Sequence, residues 1–338
     1  MIDLRSDTVT KPSPKMLDSM MRAEVGDDVF NEDPSINALQ VKACELFGME
    51  AALFCPSGTM TNQIAIATHV GNLEEIILEK DSHIYQYEGG GIFHNSRASV
   101  KLLDGKSGKI TAKQIRDAIN PDDIHKPISR LVSLENTTNR GGGETYSLSE
   151  LKEILEVVRQ NNLKLHLDGA RVFNAIIEED YTPKDLGAIF DSISICLSKG
   201  LGAPVGSLLL GDKEFIAKAK RLRKVLGGGM RQAGFLAQAG IYALDNNIER
   251  LKEDHQLAKD IGELLSKFNF IEKVIPVRTN IIIFHLDEDV NPQEFLEYLK
   301  SKNILAVHFG GQAIRFVTHL DLEGDIISEI NKVLSEFN

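Results

Sequence analysis

Two apolar runs in this chain stop abruptly at residues that could do chemistry. Leu163–Arg171 reads LKLHLDGAR and stops at Asp168, with Gly169, Ala170 and Arg171 behind it. Ser192–Gly202 reads SISICLSKGLG and stops at Ser198 and Lys199, followed by Gly200. Both runs read as strands, and open α/β sheets bind ligands just beyond the carboxyl ends of their strands. A lysine amine there can form an imine, while a carboxylate can keep a pyridine nitrogen protonated so that the ring accepts electrons. Together they match what pyridoxal 5'-phosphate (PLP) requires. The plainer alternative is a structural Lys and a structural Asp at unrelated strand ends.

Further polar residues fall at comparable places. Cys55–Asn62 reads CPSGTMTN, a strand end running into a helix. Ser57, Gly58 and Thr59 are candidates for a phosphate cup, because a helix start offers free N–H groups and glycine admits close approach. An ordinary N-cap would look the same. His83 follows another apolar run, where an imidazole can stack on a flat ring or act as a base near neutral pH. Glu88 and Gly89–Gly91 follow as a loop that could cover the site, and Glu135 with Asn136 ends a further run. Arg171 could grip a substrate carboxylate or a cofactor phenolate oxygen. Arg315 sits inside the apolar stretch AIRFV, where an unpaired charge is costly, so it faces an anion or an internal salt bridge. Arg231 ends the flexible loop GGGMR, and His125 lies in the polar loop PDDIHKP and reads as surface.

The elements that must position these residues alternate in an α/β pattern. Candidate strands are Ala51–Cys55, Glu75–Leu78, Ser99–Leu103, Arg130–Leu134, Leu163–Leu167, Ser192–Leu197 and Val205–Leu210. A capping box, Ser147 with Glu150, opens a helix whose Leu148, Leu151, Ile154, Leu155 and Val158 recur at helical spacing. Strand, capped helix and strand make a βαβ unit, so the series predicts a large domain with a mostly parallel mixed sheet flanked by helices. After about residue 245 the texture changes. A charged amphipathic helix over Ile248–Phe268, a strand over Asn280–Leu286, a helix near Pro292–Lys302, a strand near Ala313–Val317 and a helix from Gly324 predict a small α+β C-terminal domain. The division is expected at 1–245 and 246–338.

Composition narrows the class. Lys+Arg 38 against Asp+Glu 49 gives a net charge of −11, which disfavours nucleic acid and anionic membrane partners. Cys44, Cys55 and Cys196 show no CxxC spacing and sit in apolar contexts, as free thiols of a reducing compartment do. No metal cluster is expected. The polar start MIDLRSDTVT has no signal-peptide core, and no run nears the roughly 18 apolar residues of a membrane span. A cytoplasmic enzyme is expected.

With these residues in place, the chain resembles the low-specificity L-threonine aldolases, PLP enzymes of the aspartate-aminotransferase fold (fold type I). The resemblance runs from DLRSDTVTKP (Asp3–Pro12) to IRFVTHLD (Ile314–Asp321), through GDDVFNEDP, SGTMTN, SLEN, HLDGAR, LSKGLGAPVGSLL and GGGMRQAG in order. It implies that Lys199 binds PLP, Asp168 meets the ring nitrogen, His83 stacks on the ring, and Ser57, Gly58 and Thr59 hold the phosphate. Ser6, Arg171 and Arg315 would grip the amino acid carboxylate, and Arg231 would reach a cofactor phosphate in a neighbouring subunit. His125 matches a family histidine near the substrate hydroxyl. A homotetramer built from dimers with shared active sites is implied. Two departures stand out: Phe30-Asn31 where the family usually has Tyr-Gly, and Thr138 where it has His.

The implied reaction is retro-aldol cleavage of L-threonine, L-allo-threonine or other L-3-hydroxy amino acids to glycine and an aldehyde. His83, His125, a water held by either, or Glu88 could take the hydroxyl proton. An aminotransferase or a β-eliminating lyase on the same fold is the nearest rival reading. A non-catalytic PLP-binding module is the distant one, disfavoured because the chain has no spare basic helix.

Overall fold

The seven apolar runs between residues 51 and 211 all become strands of one sheet in the structure, a computed structural model that describes residues 1–337. Along the chain, a short β1 (Ile2–Asp3) precedes β2 (Ala51–Cys55), β3 (Glu74–Glu79), β4 (Ser99–Leu103), β5 (Ile128–Glu135), β6 (Lys164–Gly169), β7 (Ser192–Cys196) and β8 (Ser207–Gly211). The sheet order is β2-β8-β7-β6-β5-β3-β4, with β8 antiparallel to both its neighbours and the other pairs parallel. The architecture is therefore the expected mostly parallel mixed sheet flanked by helices.

Local chemistry explains the elements that matter. Ser147 and Glu150 form the expected reciprocal cap on the helix Leu148–Gln160, which lies between β5 and β6 and buries Leu151, Ile154, Val157 and Val158. In β7 every residue is buried, yet serine alternates with isoleucine. Such a strand needs polar partners on one face. They come from the helix Gly58–His69 and from β6: Thr61 Oγ1 lies 2.6 Å from Ser194 Oγ, while His69 Nε2 and His166 Nδ1 each lie 2.8 Å from Ser192 Oγ.

The remaining strands are β9 (Ile271–Val274), β10 (Ile281–Leu286), β11 (Ile304–Leu305), β12 (Val307–Gly310) and β13 (Ala313–Val317). They form an antiparallel sheet β12-β13-β10-β9, while β11 pairs in parallel with β1. The helices Leu251–Leu265, Pro292–Ser301 and Ile326–Ser335 accompany them. This part has its own core, with Phe284, Phe295 and Phe316 fully buried, and it takes in Ile2 and Leu4 from the chain's start. The β1–β11 pairing was invisible in sequence, because a two-residue strand has no periodicity and its partner lies 302 residues away. No helix among the described residues is long and apolar enough to cross a membrane.

Candidate active site

Parallel register gathers the carboxyl ends of β3, β5, β6 and β7 along one edge of the sheet. Glu135 ends β5 opposite Asp168 in β6, and Asp168 in turn pairs with Ser194 of β7. His83 begins the short helix after β3, Arg171 follows β6, and Lys199 follows β7. Here a cavity of about 340 Å3 opens, lined in part by Ser6, His83, Tyr87, Arg171, Lys199 and Arg315. Five residues expected in the site from sequence thus share one cavity with one another, drawn from both cores.

Asp168 is 2% exposed. Its Oδ2 accepts from Asn62 Nδ2 at 3.0 Å, and its Oδ1 accepts from the Ala170 N–H at 3.1 Å. No lysine or arginine pairs with it among the described residues. A buried carboxylate with donors but no cation is suited to a protonated ring nitrogen.

Of the three guanidinium groups that line the cavity, those of Arg171 and Arg315 differ sharply. Arg171 is buried and donates through Nε and Nη2 to both oxygens of Asp7, at 2.8 and 2.7 Å. Burial alone would raise the Asp7 carboxyl, but the Arg171 charge and hydrogen bonds hold it at about 2. Arg315 donates only to neutral acceptors: Asn139 Oδ1 at 2.9 Å and the Arg5 carbonyl at 2.9 Å. Its Nε is buried without a partner. Burial, reinforced by the charge of Arg171, pulls Arg315 down to about 10. Its position invites an anion.

His83 is held from two sides. Its Nδ1 lies 3.1 Å from Glu88 Oε1, and its backbone N–H donates to Glu135 Oε2 at 2.9 Å. Burial disfavours the imidazolium, but the Glu88 bond and the Asp168 charge outweigh it and raise the His83 pKa. Tyr87 leans toward the imidazole with ring centroids 5.6 Å apart. Glu88, expected to face substrate, instead stands behind His83, where it also accepts from Asn62 at 3.0 Å and Gln63 at 2.6 Å. The loop that brings it there needs glycine: Gly89 and Gly90 take φ of 62° and 74°, and a Cβ on Gly91 would sit 2.5 Å from Gln63.

Ser57 caps the helix Gly58–His69 by accepting from Met60 N, leaving the N–H groups of Gly58 and Thr59 at the helix start. Beside Gly58 lies Ser207, whose hydroxyl is buried without a partner. Such an end suits a phosphate.

Two expected residues lie elsewhere in this chain. His125 is 81% exposed and bonds to Asp123 at 2.8 Å, in the loop that enters β5. That places it at the amino end of the parallel strands, across the length of β5 from His83. Arg231 pairs with Asp27 and lies over the Phe30 ring at 5.8 Å, outside the cavity. The departures from the family pattern are accommodated locally. Asn31 adopts φ 62°, a left-handed conformation that asparagine tolerates where glycine is usual, and Thr138 donates to the Ser107 carbonyl at 3.0 Å.

Sequence reading missed Asp7, Asn62, Asn139 and the function of Glu135. Glu135 accepts the N–H of His83 with one oxygen and that of Asn139, at 2.8 Å, with the other. It thereby ties the histidine to the residue that holds Arg315. Burial and the nearby Asp168 charge push the Glu135 carboxyl up to about 7. One signal was available: Asn62 stands four residues beyond Gly58, one helical turn into the site from the SGT turn.

Known proteins place these features in context. A family described as beta-eliminating lyase matches residues 3–289. The low specificity L-threonine aldolase of Escherichia coli K12 is 44% identical, over 98% of this chain and 97% of its own length. A probable low-specificity L-threonine aldolase 2 of Arabidopsis thaliana is 40% identical, over 94% and 92%. The threonine aldolase structure from Leishmania major superposes with a TM-score of 0.84 at 22% identity, covering 99% of this chain and 98% of that one.

Proposed function

This chain belongs to the beta-eliminating lyase family, among the low-specificity L-threonine aldolases, and on that premise we propose that it cleaves L-threonine, L-allo-threonine and other L-3-hydroxy amino acids to glycine and an aldehyde. One observation carries the assignment to this site. A carboxylate without a cation, Asp168, and a guanidinium without an anion, Arg315, flank the edge where Lys199 enters the cavity.

Those residues fit PLP. Lys199 would hold its carbonyl carbon, Asp168 its ring nitrogen and His83 one face of its ring. Ser57, Gly58 and Thr59 would hold the phosphate, supported by the unpartnered hydroxyl of Ser207. Bound there, PLP supplies an electron sink for the bond broken at the amino acid's Cα.

The protein's own groups do the rest. Arg315 takes the substrate carboxylate in a charge-assisted hydrogen bond, with Ser6 and Arg171 beside it. Asp7 fixes Arg171 and neutralises it, so the added anion is drawn chiefly to Arg315. Fixing the carboxylate would orient the amino acid in the cavity. His83 accepts the proton of the β-hydroxyl at Nε2, because Glu88 occupies Nδ1. Of the two candidate histidines, His83 lines the cavity of its own chain and His125 does not, so we assign His83 the role. Asp168 would keep the ring nitrogen of the bound cofactor protonated.

Arg231 and His125 both look outward, and the Arg231 guanidinium lies over the ring of Phe30, an apolar side chain that is 66% exposed. This supports a homotetramer of dimers in which Arg231 reaches a neighbour's cofactor phosphate. We keep the domain division near residue 245, with the first residues lending Ile2 and Leu4 to the C-terminal core. The free thiols Cys44, Cys55 and Cys196 support a cytoplasmic setting.

Mixing the purified holoenzyme with L-threonine while following acetaldehyde release and cofactor absorbance tests the function. Acetaldehyde in step with glycine supports aldol cleavage. Conversion of the cofactor to its amine form with keto acid release would assign an aminotransferase instead.

A further inference from the structure

Behind Asp168 runs a row of buried polar groups that the reaction above leaves unused. Asn62 Oδ1 lies 3.2 Å from His166 Nε2, His166 Nδ1 lies 2.8 Å from Ser192 Oγ, and Ser192 Oγ lies 2.8 Å from His69 Nε2. His166 and Ser192 are fully buried and Asn62 is 2% exposed. The row crosses from the edge where Asp168 sits, through β6 and β7, to the far end of the helix Gly58–His69.

Its hydrogens can be placed by elimination. Asn62 Nδ2 faces two carboxylates, Asp168 Oδ2 and Glu88 Oε1, both at 3.0 Å, so this end is the amide NH2 and Oδ1 faces His166. Oδ1 can only accept, so His166 carries a hydrogen on Nε2. Burial drives the His166 imidazole down to about 3 and that of His69 to about 4, so both rings are neutral. His166 Nδ1 is then an acceptor, served by the Ser192 hydroxyl. The Ser192 oxygen in turn accepts from His69 Nε2. All four bonds run in one direction, toward Asp168.

We propose that His166 is a positioning residue for the cofactor-facing carboxylate, acting through a proton-ordered chain His69–Ser192–His166–Asn62 that ends on Asp168. The hydrogen on His166 Nε2 forbids Asn62 from turning its carbonyl toward Asp168, where two acceptors would repel. Asp168 therefore always meets a donor on Oδ2 and stays aimed. The inference rests on Asp168 facing the ring nitrogen of PLP, but the chain's polarity is a property of the protein and can be read without turnover.

Neutron diffraction from a deuterated crystal of the holoenzyme reads that polarity directly. Deuterium is expected on His166 Nε2 and His69 Nε2, on Ser192 Oγ toward His166, and not on His166 Nδ1. Deuterium on His166 Nδ1 overturns the proposal whatever the enzyme's reaction. Two variants read the consequence. His166→Gln keeps an N–H near the Nε2 position, and His166→Phe keeps the bulk but no donor. His166→Phe is expected to lower kcat about tenfold, in the range seen when groups that orient a site residue are removed, and to move the pH midpoint of the bound cofactor's absorbance. His166→Gln is expected to recover both. Equal loss in the two variants, or loss in neither, overturns the role. If His166→Phe fails to fold, the neutron map and His166→Gln decide.

Discussion

Arg171 and Arg315 line one cavity, yet only Arg171 has a carboxylate of its own, Asp7. A second positive charge held by an amide oxygen and a backbone carbonyl makes Arg315 the group that an incoming carboxylate completes.

Replacing it should therefore damage binding first. Arg315→Ala is expected to raise KM for threonine by roughly 10- to 100-fold, the worth of one charge-assisted hydrogen bond. Arg315→Lys should recover only part, since a single ammonium cannot serve Asn139 and substrate in the same fork. Steady-state kinetics of the two variants checks this. An unchanged KM in Arg315→Ala would assign the carboxylate to Arg171.

Lys199→Ala should abolish the absorbance of lysine-linked cofactor and lower turnover on the order of 10^3-fold or more. Borohydride treatment of the wild-type holoenzyme followed by peptide mapping should place the label on Lys199. A label on another lysine would move the site.

The two histidines are separable. His83→Asn is expected to lower kcat by about 100-fold or more, as loss of a general base does. His125→Asn should leave kcat within a few-fold if the cavity of one chain suffices. A matching loss in His125→Asn would put its imidazole in the cavity of a neighbouring copy.

Glu88 sets a pH dependence with a definite sign. Its bond to His83 Nδ1 raises the imidazole pKa, and a base works only when deprotonated. The wild-type acidic limb of kcat/KM should thus lie above the ordinary histidine value. Glu88→Gln removes the charge that favours imidazolium, so the limb should shift to lower pH and activity at pH 6 should fall less steeply. A pH–rate profile of both proteins measures this, and a limb that stays put would remove His83 as the titrating group.

Much of the fold was legible because its signals are local. The seven sheet strands show as apolar runs bounded by turns, and the helix after β5 announces itself by its cap. The placement of Lys199 and Asp168 was legible for a related reason: each follows or ends an apolar run at the carboxyl edge of the sheet. What stayed hidden depends on distance along the chain. Asp7 meets Arg171 across 164 residues, and Arg315 meets Asn139 across 176. Glu135 looked like a generic polar strand end, since its two backbone partners are set by loop geometry that no spacing encodes. The placement of His125 was equally beyond reach, because only the strand direction of β5 reveals which edge its loop occupies.

The strands that carry Arg315 spring from a hydrophobic core separate from the one beneath Lys199 and Asp168. Phe309 of the neighbouring β12 stacks beside both Arg315 and Arg140, with their guanidinium carbons 4.9 and 4.2 Å from its ring centre. Electron handling and substrate grip are thus built on scaffolds that can drift apart in evolution. Changes at Val307, His308 or Phe309 can retune which side chain beyond Cα is welcomed, leaving the bond-breaking apparatus untouched. A generalist toward hydroxy amino acids needs no new chemistry to become a specialist; it needs a differently furnished wall.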